Sequence, residues 1–253
     1  LGAASSIYHV DPGVLFDARP DVIITQSHCE VCAVSDKDVE RALLAGRAKG
    51  GAVATAPSAN KIVSLAPNIL SEVWQSIQIV ADALDISQRG EALVHQLQTR
   101  VDAIANVAKS LQKPTVACLE WLDPLMAAGN WMPELVELAG GRNLFGLAGK
   151  HSPWMNWDQL LTADPMLLIA LPCGFDLART RSEMAGLTAQ PEWTRLQAVP
   201  NDRLFVTDGN QFFNRPGPRL VESLEILAEI FHPDTFQFGQ EGTGWERAAD
   251  ERR

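Results

Sequence analysis

Short apolar runs alternate along the chain with stretches in which apolar residues recur every three or four positions. The runs are DVIIT at 21–25, KIVSL at 61–65, TVACL at 115–119, MLLIAL at 166–171 and RLFVT at 203–207. Their length and their Val, Ile and Leu content suit strands buried on both faces, as in a parallel sheet. Helical spacing fills the gaps. Residues 68–84 place Leu70, Val73, Ile77, Val80, Ala81 and Leu84 on one face, and residues 36–47 form a shorter, more charged helix. PELVELAGG starts on Pro133, which suits a first helical position, and ends in a glycine pair suited to a left-handed cap. From Pro218 onward, Leu220, Leu224, Leu227 and Phe231 again keep helical spacing, and NWDQLLTADP around Trp157 reads as a helix start. Alternating strands and helices make an α/β architecture the expectation.

One segment is longer than a crossover helix needs to be. Residues 87–111 carry Leu93, Leu97, Val101, Ile104, Ala108 and Leu111 at intervals of three and four. At the helical rise this is a rod of roughly 37 Å, stopped by Lys113-Pro114 because proline disfavours helix in the residue before it. Strand and helix units flank the rod on both sides. The expected organisation is an N-terminal lobe at 1–86, a connecting helix at 87–113, a C-terminal lobe at 114–236 and a flexible tail at 237–253, where charge is high and periodicity is absent.

Composition narrows the function. Of the 253 residues 46% are hydrophobic and 21% charged, ordinary for a globular protein. The formal net charge of −10 argues against non-specific binding to nucleic acid or anionic membranes. No run of 18 apolar residues is present. The opening LGAASSIYHVD lacks the basic and apolar regions of a signal peptide, which leaves a cytoplasmic location open.

In open parallel sheets, ligands sit beyond the carboxyl ends of the strands. Those positions hold Gln26, Ser27, His28, Cys29 and Glu30 after the first run, Glu120 and Trp121 after the third, and Cys173 and Phe175 after the fourth. Phe212, Phe213 and Arg215 follow the fifth, and Trp131, Trp154 and Trp157 occupy neighbouring loops. Aromatic faces beside a few polar groups suit a large, flat organic ligand. Packing in the core is the competing reading of these tryptophans, most of all for Trp157.

The stretch TQSHCEVCAVS carries Cys29 and Cys32 three apart. It reads as half a metal site, a redox pair, a disulfide or plain loop, or a pocket-lining loop. A structural zinc site needs four ligands at suitable spacing, and no second Cys-x-x-Cys or His-x3–5-His exists. The rest of a thioredoxin pattern is missing too. The pocket-lining loop is favoured, with no metal and no cofactor of the protein's own. Cys118 reads as a buried strand residue. No phosphate-loop, dinucleotide or nucleophile-elbow motif occurs, so nothing in the residues supports an enzyme.

The strings ARPDVIITQSHCEVCAVS, ACLEWLDPLMAAGNWMPELVELAGG, LPCGFDLART and GPRLVESLEILAEIFHP resemble the cobalamin-binding-protein branch of the periplasmic binding proteins, which serve iron-siderophore and vitamin B12 ABC importers. The resemblance runs from about Ile7 to Phe236. It implies a class III binding-protein fold, two α/β lobes with mostly parallel sheets joined by one long helix, and a ligand held between the lobes without covalent chemistry. Gln26 and the 28–32 loop would line the N-lobe side. Trp121, Trp131, Phe175 and Phe212 to Arg215 would line the C-lobe side. The implied ligand is cobalamin or a related corrinoid, with a ferric siderophore second, and the implied partner is an ABC permease in an extracytoplasmic setting. The family's opening strand has no counterpart ahead of SSIYHVDPGVLFDARPD, so an N-lobe lacking that strand is expected. Permease docking in the family uses one acidic side chain per lobe. Glu30 is the N-lobe candidate; the comparable C-lobe place holds Asn214, which leaves Glu134. These departures motivate an alternative, a structural or assembly subunit that keeps the fold without transport.

Overall fold

The computed structural model describes residues 9–27, 34–49 and 61–248. The chain is α/β and divides into two compact units, residues 1–67 with 74–94, and residues 68–73 with 95–253.

In the first unit, α1 (Pro12–Ala18) is capped by Asp11, whose side chain accepts from the Gly13 and Val14 N–H groups, with Pro12 in the first turn. Strands β1 (Val22–Gln26) and β2 (Lys61–Leu65) pair in parallel, Val22 opposite Lys61 and Gln26 opposite Leu65. Helix α2 (Asp36–Lys49) starts where Ser35 and Asp38 exchange hydrogen bonds, the Ser35 Oγ donating to the Asp38 carboxylate at 2.8 Å. The strands are less buried than their sequences predict. Ile24 is 47% exposed and only Val63 of β2 is buried. Among the described residues this sheet has two strands, so apolar residues that a wider sheet would cover remain open.

Helix α3 (Leu70–Ala83) turns through Asp85, which adopts a left-handed φ of 57°, into α4 (Ser87–Ala108). Gly90 is required there: a Cβ would lie 2.5 Å from that of Ala81. Helix α4 is the long helix expected from the spacing. It starts in the first unit and ends in the second, and it buries Leu97, Val101, Ile104 and Ala108. Leu93, placed on the same stripe by periodicity, is 37% exposed.

The second unit is built on a mixed sheet. Its strands are β3 (Thr115–Leu122), β4 (Leu125–Ala127), β5 (Arg142–Asn143), β6 (Leu167–Ala170), β7 (Leu204–Thr207) and β8 (Trp245–Arg247). The order is β4-β3-β6-β7-β8, with β5 on the first residues of β3. Strands β3, β6 and β7 are parallel, and β4 and β8 run antiparallel at the edges. Every residue of β6 and β7 is buried, as their unbroken apolar sequences require.

Around the sheet lie α5 (Met132–Leu138), α6 (Trp157–Ala163), α7 (Leu177–Thr188) and α8 (Leu220–Phe231). The glycine pair after α5 closes it as expected: Gly140 takes a φ of 83°, and the Gly140 and Gly141 N–H groups donate to the Glu137 and Val136 carbonyls. Helix α6 begins at Asn156 with a capping box to Gln159. Helix α8 is buried nearly all round, including Glu225 and Glu229. Glu225 is paired with Arg100 of α4 at 2.6 Å.

The flexible tail expected from residue 237 is corrected for residues 237–248. Glu229 Oε1 accepts from the Phe238 N–H and from the Gly239 N–H (2.5 Å), and Oε2 from the Gln240 N–H (3.1 Å) and the Trp245 indole (3.0 Å). Trp245 packs on Phe205 with centroids 5.7 Å apart, and β8 closes the sheet. The segment is held by one buried carboxylate, which leaves no periodic signature in its own sequence.

Candidate functional site

The parallel strands of the second unit deliver their carboxyl ends to one edge. At the end of β3 the ladder to β4 slips between Leu119 and Trp121, leaving Glu120 as an extra residue. Strict alternation would return Trp121 to the core. The bulge instead keeps Leu119 and Leu122 buried and leaves Glu120 and Trp121 both half-buried.

Trp121 is fixed by its own indole N–H, which donates to the Asp123 carbonyl at 3.0 Å. Its ring meets Phe175 with centroids 5.5 Å apart and planes tilted by 58°. The Arg179 guanidinium lies 3.8 Å from the Phe175 centroid, a cation–π contact. Asp176 caps α7 by accepting the Arg179 N–H at 2.8 Å, placing Arg179 in the first turn beside the ring. The loops after β6 and β7 are laced together. The Asn210 N–H donates to the Phe175 carbonyl (3.0 Å), and Asn214 Nδ2 donates to the carbonyls of Leu171 (2.9 Å) and Gly209 (3.1 Å). Gly209 permits this approach: a Cβ there would be 2.2 Å from the Pro172 oxygen. Arg215 donates from Nε to the Asn210 carbonyl (2.7 Å) and from Nη2 to Asn210 Oδ1 (3.0 Å).

Glu120 accepts from Ser152 Oγ at 2.8 Å, and that buried oxygen in turn accepts the Gly129 N–H at 3.1 Å. Burial pushes the Glu120 carboxyl above its ordinary pKa, opposed in lesser degree by the Ser152 bond, His151 and the Gly129 N–H. The Cys173 residue is exposed, yet burial of its thiol and then the Glu120 charge push it up, with Arg215 opposing. Neither group is tuned as a nucleophile. Cys118 is fully buried, as its strand sequence predicts, and burial alone pushes its thiol up to about 12.

A stability prediction follows from Glu120. Its folded pKa lies above its unfolded one, so the folded state holds the proton more tightly. The associated stability is fully present below the ordinary carboxylate range and is lost as pH rises through the raised value. Urea midpoints from about pH 4 to 8 should show wild type losing ground to Glu120→Gln as pH increases. A difference that stays flat, or grows in favour of wild type, contradicts the assignment.

The structure therefore brings Glu120, Trp121, Cys173, Phe175 and Arg215 to one edge. It places three expected ligand residues in the core instead. Trp131 is 5% exposed and its indole donates to the Phe213 carbonyl at 2.6 Å. Phe213 is fully buried, and its N–H donates to Ser223 Oγ at 3.0 Å. Phe212 is buried edge-on against Phe213, with the Arg219 guanidinium 4.8 Å from its centroid. Each aromatic is covered by α8 or the loop leading into it, a tertiary contact that strand-end position does not encode. Trp154 is 64% exposed and bridges Met126 of β4, the residue that is itself the register partner of Trp121. Glu134 is half-buried and accepts the Leu70 N–H at 2.8 Å, so the fallback docking carboxylate is engaged at the start of α3. In the first unit, Gln26 ends β1 half-buried and Ser27 is exposed, donating its N–H to the Leu65 carbonyl at 3.0 Å. His28, Cys29 and Glu30 lie outside the described residues. Among the described residues no group of three His, Cys, Asp or Glu side chains is placed to hold a metal ion, and no helix is long and apolar enough to cross a membrane. Ser152 was not singled out from the sequence as the partner of Glu120. Arg179 and Asn210 were legible as residues of the loops after the fourth and fifth apolar runs, but their contacts with Phe175 were not.

Residues 14–210 match the family described as periplasmic binding protein. The chain belongs to that family. A relative from Bacillus subtilis (strain 168), the uncharacterized ABC transporter substrate-binding lipoprotein YvrC, is 25% identical over 175 residues, 66% of this chain and 52% of its own. The chain thus spans about half the length of this curated relative. An ABC transporter substrate-binding protein from Listeria monocytogenes EGD-e shares the fold at a TM-score of 0.71 and 16% identity, over 88% of this chain and 80% of its own. The apo periplasmic heme-binding protein RhuT from Roseiflexus sp. RS-1 has a TM-score of 0.67 and 22% identity, over 89% and 80%. The periplasmic vitamin B12 binding protein BtuF of Vibrio cholerae has a TM-score of 0.58 and 19% identity, over 88% and 78%. At these identities the likeness to the solved structures is one of fold.

Proposed function

We propose that this periplasmic binding protein captures a corrinoid, cobalamin in the first place, and delivers it to an ABC importer permease outside the cytoplasm. The observation that carries the reading is the Trp121–Phe175 pair at the carboxyl ends of β3 and β6, braced from behind by Arg179. A tilted aromatic pair held by backbone hydrogen bonds offers apolar faces that need no rearrangement to receive a flat macrocycle. Of Arg179, Arg181 and Arg215, the first two already hold a carboxylate partner, which weakens them as anchors for an anionic ligand. Arg215 is engaged by Asn210, Arg179 by Phe175 and by Glu183 at 3.6 Å, and Arg181 by Glu246. A carboxylate-bearing macrocycle or an anionic ferric siderophore would have to displace those partners.

The test is a titration of the purified chain with cobalamin, followed by tryptophan quenching and by retention of the visible chromophore through gel filtration. The expected result is stoichiometric retention at low micromolar concentration or below, roughly −8 kcal/mol or better. Absence of both signals overturns the corrinoid reading and leaves a ferric siderophore as the ligand or the assembly-subunit alternative, whose mark is a stable complex with another protein in place of a ligand.

A further inference from the structure

Two hollows of about 220 and 230 Å³ lie side by side on the flank of the second unit. They share Leu122, Asp123, Gly186 and Leu187, so they form one trench between the β3–β4 turn and α7. One end is walled by Trp121 and Phe175, the pair of the proposed ligand site. The other end is walled by Trp157, with Met155 and Pro124 beside it. The floor at Gly186 is open: a Cβ there meets nothing within 4 Å.

We infer that this trench receives a flat, uncharged heteroaromatic group carried on a tether by the ligand that stacks at Trp121. The inference rests on the corrinoid reading and extends it to a second contact. Continuity is the first argument, since Trp121 and Phe175 belong both to the strand-end pair and to the trench wall. Shape and surface are the second. Each hollow is mainly apolar, with an indole at either end of the trench to cover an aromatic face. Charge is the third. Glu183 is paired with Arg179 at 3.6 Å, and Asp123 lies at the exposed β3–β4 turn. The lining of the trench holds Asp123 and Glu183 and no Arg or Lys, so it disfavours an anion.

Gly186→Trp tests this directly. The position is exposed and helical, where glycine is a poor helix former, so the variant keeps the fold. Wild type should bind cobalamin at least about tenfold more tightly than cobinamide, which lacks the benzimidazole-bearing arm. Gly186→Trp should erase that preference and leave cobinamide affinity within about twofold of wild type. Equal affinities in wild type, or a preference that survives the substitution, overturn the inference while leaving the carrier reading intact. Binding of neither corrinoid overturns the corrinoid reading, and free benzimidazole then decides the trench by itself. A millimolar titration that moves the Trp157 indole N–H resonance in wild type and not in Gly186→Trp supports the trench as an aromatic subsite. No movement in wild type ends it.

Discussion

Glu229→Ala should destabilise the second unit by about 3–5 kcal/mol, because several buried donors lose one charged acceptor at roughly 1–3 kcal/mol for each left unpaired. The side chain is 5% exposed and gathers three backbone N–H groups and the Trp245 indole. Without it those donors must either stay buried and unpaired or carry the 238–245 segment into water. The second route exposes Trp245, now 4% exposed, and strips β8 from β7. Urea unfolding gives the total, and amide exchange at Phe238, Gly239 and Gln240 tells which route is taken. Glu229→Gln keeps the volume and one acceptor oxygen, so its loss should be about half as large. A midpoint for Glu229→Ala within about 0.5 kcal/mol of wild type would show that the carboxylate does not hold the segment.

The same residue marks where sequence stops being informative. Read along α8, Leu220, Leu224, Leu227 and Phe231 describe an apolar stripe, and Glu225 and Glu229 then read as part of a solvated face. In the structure both carboxylates are buried, because Arg100 and the 238–245 segment bring partners from distant sequence. Strand positions were legible for the opposite reason. The β6 residues LLIA at 167–170 and the LFV of β7 at 204–206 are apolar without interruption and all buried, a pattern that depends only on burial. The glycine pair after α5 was legible because left-handed backbone is a local demand. Helix α7 was not, since LARTRSEMAGLT carries a weak stripe and an exposed glycine. The tryptophans divide along the same line. Trp121 lies near the end of β3 and Trp131 at the start of α5, both beside turns, and the partner of each indole separates them. Trp121 bonds two residues away and keeps a half-open face, whereas Trp131 reaches the Phe213 carbonyl and is enclosed.

That difference sets the largest expected effect on binding. Trp121→Ala should weaken cobalamin affinity about ten- to a hundredfold, roughly 1.4–2.7 kcal/mol, the usual scale for an anchoring aromatic. The ring is placed at the β3 bulge, pinned at 3.0 Å to the Asp123 carbonyl, and seated 5.5 Å from Phe175. Removing it takes away one apolar face and also frees Phe175 and Arg179 on the other side. Trp121→Phe keeps an aromatic face but loses the indole hydrogen bond, so an intermediate loss of about threefold is expected. Trp154→Ala is the comparison: at 64% exposure and one strand beyond Met126, the register partner of Trp121, it should weaken affinity less than Trp121→Ala does. Isothermal titration of the three variants, each first shown to unfold at the wild-type urea midpoint, separates contact from stability. If Trp121→Ala binds like wild type while Trp154→Ala does not, the ligand lies against the β4 side, and the strand-end pair is packing alone.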